Sequence, residues 1–172
     1  MRSGRRRKLD KGRPIHTFTS PMHRITVRAA VAADQKRLEE LQWRASLEHL
    51  EDREALLANP ALIALPLQQI EEAGVFVAET ANAIQGFASM LPRDDGDAEL
   101  DGLFVEPASW RQGIGRVLVE HCCAAAKAAG AAQIHVVGNP NAKGFYAACG
   151  FETVGTQAMQ LGLGLLMKRS LL

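Results

Sequence analysis

Leu103-Phe-Val-Glu-Pro-Ala-Ser-Trp-Arg-Gln-Gly-Ile-Gly-Arg116 joins the end of an apolar strand to the start of a long helix, with two glycines at the junction. The first turn of a helix leaves backbone N–H groups unpaired and carries partial positive charge. Glycines let an anion approach that backbone closely. The physical reading is a cradle for a phosphate or pyrophosphate, with Arg111 and Arg116 adding charge at its rim. Two familiar cradles do not fit. A Walker A loop needs Gly-Lys-Ser/Thr, and Gly115 is followed by Arg116-Val117. A dinucleotide fingerprint needs a third glycine where Leu118 stands.

Outward from this stretch, the pattern predicts a mixed α/β domain. Upstream, Arg24–Arg28 alternates with Ile25 and Val27 on one face and reads as a first strand. Asp34 can cap a helix carrying Leu38, Leu41 and Ala45, and a second helical stretch covers Leu47–Ala58. Pro60 and Pro66 bracket an irregular segment. Gly74–Glu79 and Ile84–Leu91 read as an antiparallel hairpin, and Ala98–Val105 as a further strand. Downstream, Gly113–Ala129 places Ile114, Val117, Leu118, Cys122 and Ala125 on one helical face, and Gly130 ends it. Gln133–Val137 is a short strand. Asn139-Pro140 opens a helix that stops at Gly150, and Phe151–Thr156 and Leu163–Lys168 close the chain as strands. The order is β-α-α-β-β-β-α-β-α-β-β. The helix after Gly113 is long enough for a right-handed crossover, which would make strands 98–105 and 133–137 parallel.

The other informative stretch is Asn139-Pro-Asn-Ala-Lys-Gly-Phe-Tyr-Ala-Ala-Cys-Gly-Phe151. With both stretches in view, residues 23–169 resemble the GCN5-related N-acetyltransferases, the GNAT superfamily. The stretch over 103–116 is similar to that family's acetyl-CoA loop, Q/R-x-x-G-x-G/A. The stretch over 139–151 is similar to its N-x-x-A-x-x-F-Y-x-x-x-G-F signature, with Asn139, Ala142, Phe145, Tyr146, Gly150 and Phe151 in register. The family's first Q/R position falls on Trp110, with Arg111 one place later. Main-chain N–H groups from Arg111 to Arg116 would still form the cradle.

The resemblance implies a single-domain, mostly antiparallel sheet flanked by helices. It implies an N-acetyltransferase with acetyl-CoA as acyl donor, no metal, and direct attack by a primary amine in a ternary complex. Leu103, Phe104 and Val105 would pair with the pantetheine arm as an added strand, and a bulge near Gly102 would free an N–H for the thioester oxygen. Arg111, Gln112, Gly113, Ile114, Gly115 and Arg116 would hold the diphosphate. Asn139 would hydrogen-bond the cofactor arm. Tyr146, the only tyrosine of the chain, would sit near the sulfur as general acid. The reaction needs no protein nucleophile. A Lys-like amine with a pKa of about 10 must lose a proton, and Glu99 or Asp101, on one face of their strand, could take it. His49 and Glu48 are weaker candidates for this task; His121 and His135 read as structural or exposed. Trp43, Arg44 and Ser46 could line an acceptor pocket by family analogy. A different class of function is a non-catalytic acyl-CoA sensor on the same fold.

Composition bounds these readings. The chain has 172 residues, 47% hydrophobic and 23% charged, which fits one domain with its own core. Apolar runs such as Gly74–Ala78 and Leu161–Met167 fall far short of the roughly 20 residues that cross a bilayer. Cys122, Cys123 and Cys149 have neither a disulfide framework nor zinc-site spacing and read as reduced core thiols of a cytoplasmic protein. The net charge of +1 hides an asymmetry: residues 1–21 carry seven Lys/Arg and one Asp, leaving thirteen Lys/Arg against eighteen Asp/Glu in the remainder. Residues 1–22 read as a basic, disordered extension ahead of a 23–172 domain. Met22 opens an ordinary domain start, so an upstream start codon and an appendage without function are preferred over a nucleic-acid arm at residues 2–13. The partner expected is a small-molecule or protein amine, with no membrane. A closing strand over Leu161–Arg169 could support a homodimer.

Overall fold

A computed structural model describes residues 24–172; the expectations for the basic extension lie outside the described residues. Seven strands form one sheet: β1 (Thr26–Ala29), β2 (Val75–Thr80), β3 (Ala83–Pro92), β4 (Ala98–Val105), β5 (Gln133–Gly138), β6 (Glu152–Ala158) and β7 (Leu163–Ser170). Their spatial order is β1-β2-β3-β4-β5-β7-β6. Every pair is antiparallel except β4–β5, which is parallel. The crossover between them is the helix α4 (Ile114–Ala128), as its length requires. The expected α/β, mostly antiparallel architecture is therefore observed.

Each face of the sheet has its own core. On one face α4 buries Ile114, Leu118, Val119, Cys122, Cys123 and Ala126 against Phe76, Ala78, Ala88 and Leu100. The buried stripe is turned slightly from the expected one: Val117 and Ala125 are half-buried, and Val119 and Cys123 go inward. The short helix α5 (Lys143–Ala148) adds Tyr146 to this core. On the other face α1 (Gln35–Ser46) places Leu38 and Leu41 on Val75, Val77 and Phe87. Both leucines are fully buried, which contributes about 2 kcal/mol each relative to leaving them in water. The helix α2 (Leu50–Ala58) follows, and then α3 (Leu67–Glu71).

Most boundaries shift by one to three residues from the sequence reading, as in α2, which starts at Leu50 rather than Leu47. The first strand is Thr26–Ala29, two residues later than its alternation suggested at the start. α3 occupies part of a segment read as irregular, starting directly after Pro66. Asn139-Pro140 opens a single 3₁₀ turn, and α5 begins only at Lys143.

Candidate active site

β4 is regular up to Leu100 and then changes. Ser89 of β3 pairs with Gly102 and Met90 with Leu100, so Asp101 has no partner across the ladder. This is a bulge, one residue before the glycine where it was expected. It reverses the side-chain parity of the strand. Ala98 and Leu100 face α4 before it; Leu103 and Val105 face α4 after it.

The bulge coincides with an opening in the sheet. β4 and β5 pair only at Ala98↔Ile134, Glu99↔His135 and Leu100↔Val136. Beyond Leu100 the side of β4 that faces β5 has no strand partner. Leu103, Phe104 and Val105 line a cleft of about 600 Å³ there, so an extended ligand arm has an open edge to pair with.

The glycine loop closes one end of this cleft. Arg111, Gly113, Ile114, Gly115 and Arg116 line it. Arg111 (φ 62°) and Gly113 (φ 82°) both take left-handed backbone, which turns the chain into α4. The first bond of the helix runs from the Val117 N–H to the Gly113 carbonyl; the N–H groups from Arg111 to Arg116 engage no acceptor among the described residues. The N-terminus of α4 therefore presents free main-chain donors at the place where the sequence led one to expect a cradle. Gly115 is constrained by packing. A Cβ there would lie 3.2 Å from Cζ of Phe145. Trp110, at the departure from the family pattern, lines the same cleft. Its Nε1 donates to the Val105 carbonyl at 2.8 Å and ties the loop to the end of β4. Glu106 ties the same point to α1. Its Oε1 accepts from Arg44 at 2.6 Å and from Arg37 at 2.8 Å. The Arg44 guanidinium, joined by Arg37, holds the Glu106 carboxyl below the usual carboxylate range.

The other wall comes from α5 and the end of α1. Tyr146 is 8% exposed, edge-on to Phe145 and Phe151. No buried side-chain oxygen or nitrogen among the described residues lacks a partner, and the Tyr146 hydroxyl bonds to none of these residues, so it opens onto the cleft that the residue lines. Burial pushes the phenol pKa up, which keeps it protonated at neutral pH. Ser46, His49, Asn141 and Ala142 also line the cleft, and the Asn141 Nδ2 donates to Glu51 Oε1 at 2.6 Å.

Some expected residues lie elsewhere. The Asn139 Oδ1 accepts from the Asn141 N–H at 2.8 Å and caps the 3₁₀ turn; Asn141, which sequence reasoning missed, reaches the cleft in its place. Gln112 is exposed on the loop and outside the cleft wall. Trp43 and Arg44 line a separate shallow hollow with Glu39, Glu40 and Ile63. Glu99 and Asp101 stand on the α1–α3 face of the sheet, with Glu99 3.5 Å from Arg93. His121 packs on the Phe76 ring, and His135 pairs with Asp97 at 3.1 Å. Asp95, Asp97 and His135 bring ligand-type atoms within 4.8 Å of one another, but Arg93, backbone N–H groups and the imidazole already occupy both carboxylates. All three cysteines are buried, and burial pushes Cys122 up to about 12, so none is a ready thiolate.

The family model described as Acetyltransferase (GNAT) family matches residues 35–151. The chain belongs to the GNAT family. Solved structures agree on the fold. The PaiA N-acetyltransferase from Thermoplasma acidophilum, in complex with coenzyme A, aligns at TM-score 0.67 and 17% identity over 86% of this chain and 99% of that one. A GCN5-related N-acetyltransferase from Rhodopseudomonas palustris aligns at 0.66 and 20% identity, over 84% and 94% of the two chains. N-acetylglutamate synthase from Neisseria gonorrhoeae, complexed with coenzyme A and N-acetyl-glutamate, aligns at 0.65 and 19% identity, over 86% of this GNAT chain and 35% of that one. No curated protein matches by sequence. No helix among the described residues of this GNAT protein is long and apolar enough to cross a membrane.

Proposed function

We propose that this GNAT protein transfers an acetyl group from acetyl-CoA to a primary amine by direct attack in a ternary complex. One observation carries the reading: the loop with the free N–H groups of Arg111–Arg116 and the Tyr146 ring line the same cleft as the unpaired edge of β4. The cradle takes the diphosphate, and Leu103–Val105 take the pantetheine amides. The thioester then lies where β4 and β5 part, beside the bulge.

The chemistry follows from that placement. The amine nitrogen attacks the thioester carbonyl carbon, and a backbone N–H freed at the bulge stabilises the oxyanion. The C–S bond breaks as the C–N bond is completed. The leaving sulfur is more basic in a dry cleft than in water, and the Tyr146 phenol gives it a hydrogen bond and then the proton. We assign the proton lost by the amine to one of the two carboxylates Glu99 and Asp101, with the acceptor approaching from the α1–α3 face of the sheet on which they stand. Asp101 is the better placed. It is the first residue beyond the last β4–β5 pair, whereas Glu99 lies within the paired stretch beside Arg93.

The test is a thermal shift with acetyl-CoA, followed by thiol release with a panel of primary amines: spermidine, glucosamine, lysine and a peptide with a free N-terminus. A rise in Tm together with thiol release from one of them supports the reading. A rise without thiol release for any amine points to an acyl-CoA sensor on the same fold. No rise at millimolar acetyl-CoA removes both.

A further inference from the structure

Ser89 is the one buried polar residue among the described residues, 3% exposed and flanked in β3 by Ala88 and Met90. Burying a hydroxyl costs stability unless it finds a partner. The partner here is across the bulge. Ser89 Oγ donates to Asp101 Oδ2 at 3.4 Å. Gln69 Nε2, from α3, donates to the same oxygen at 3.3 Å. Asp101 Oδ1 has no protein partner among the described residues, so one carboxylate oxygen is anchored twice and the other is left open.

Gly102 is the third part of the arrangement. A Cβ at that position would sit 2.7 Å from Ser89 Oγ and 3.0 Å from the Phe104 ring. Any side chain there would displace the hydroxyl from beneath the bulge. Three separate features therefore converge on one carboxylate: a buried hydroxyl, an amide from a short helix, and a glycine that leaves room for the hydroxyl.

We propose that Ser89 and Gln69 are positioning residues that hold Asp101 Oδ2 at the sheet opening, so that Oδ1 is aimed at the acceptor amine. This rests on the acetyl-transfer reading, with Asp101 as the base. Freezing a flexible carboxylate in the productive orientation acts on the chemical step and leaves donor binding untouched. Neither Ser89 nor Gln69 lines the cleft.

The experiment measures thiol release from acetyl-CoA with the amine panel above, for Ser89→Ala, Gln69→Ala, Asp101→Asn and the double variant Ser89→Ala/Asp101→Asn. Ser89→Ala is expected to lower kcat about tenfold, the rate equivalent of one lost hydrogen bond, with KM for acetyl-CoA unchanged. Gln69→Ala, at a half-buried position, is expected to lower kcat in the same way without touching the core. In the Asp101→Asn background, Ser89→Ala is expected to add no further loss, which a merely structural hydroxyl would not show. Wild-type kcat in both single anchor variants, or an undiminished Ser89→Ala loss in the Asp101→Asn background, overturns the proposal while leaving Asp101 as base. Asp101→Asn turning over at the wild-type rate overturns the base and the anchors together. Thiol release with no amine overturns the transfer reading on which both depend.

Discussion

The ring of Tyr146 lies against the backbone of Gly138, so close that a Cβ on that residue would stand 3.0 Å from its Cε2. The last residue of β5 gives up a side chain so that the phenol can rest at the cleft wall. Gly138→Val is expected to push the ring off this seat, lowering thiol release at least tenfold. Stopped assays paired with a melting curve would separate this from unfolding: the melt should fall by only a few degrees, because the neighbouring Phe151 remains buried.

Tyr146→Phe is the gentler counterpart. It keeps the edge-on contacts with Phe145 and Phe151 and removes only the hydroxyl. The acetyl-CoA thermal shift should be retained while kcat falls on the order of 10²-fold, the usual scale for a positioned acid. Turnover at the wild-type rate would show that the sulfur leaves without help from the phenol.

Gly113 and Gly115 should fail for different reasons. A Cβ added at Gly113 would meet nothing within 4 Å, but the φ of 82° strains any L side chain, so Gly113→Ala should cost about 1 kcal/mol of stability. Gly115 meets Phe145 instead. Gly115→Ala should weaken acetyl-CoA affinity, read by isothermal titration, more than it lowers Tm.

Glu106 predicts an acid-sensitive hold on the cleft. Its carboxyl is held low by Arg44 and Arg37, so its contribution is complete above the ordinary glutamate range, about pH 4.3, and is lost as pH falls through its lower value in the folded protein. The guanidinium groups are partly exposed, which limits the effect to roughly 0.5–1 kcal/mol. Glu106→Gln should lower Tm at pH 7 and make the acid limb of a Tm–pH profile shallower. An unchanged limb would show that the ion pair is screened out.

Much of this was legible in the sequence because the signals were local. The two glycines at 113 and 115 announce a helix start, and their spacing to Asn139–Phe151 gives the order of the two halves of the cleft. Two adjacent apolar runs gave the β2–β3 hairpin and the length of the α4 crossover gave the parallel β4–β5 pair, whereas the β1–β2 and β5–β7 pairs left no local signal. The bulge was half legible. Gly102 marks an irregular strand, but the unpaired residue is Asp101, because the packing of Ser89 and Phe104 against Gly102 is a contact between positions that are neighbours only in the sheet. The presence of Trp110 was visible as a departure from the pattern. Its bond to the Val105 carbonyl was not, since an indole can turn either way from the same backbone. α3 escaped notice because five residues after a proline make too short a run for helical periodicity to register. The Glu106 pairs with Arg37 and Arg44 span more than sixty positions and leave no trace in spacing.

The three-residue parallel ladder between β4 and β5 also has a mechanical meaning. It is the seam between a four-strand half and a three-strand half of the molecule, bridged otherwise by α4 on one side. Amide protons on the seam side of residues 103–105 have no acceptor waiting in the neighbouring strand, so they should trade with deuterium far sooner than those facing β3. Whatever settles into that gap would work as a zipper, and its presence should be readable as slowed exchange along the seam.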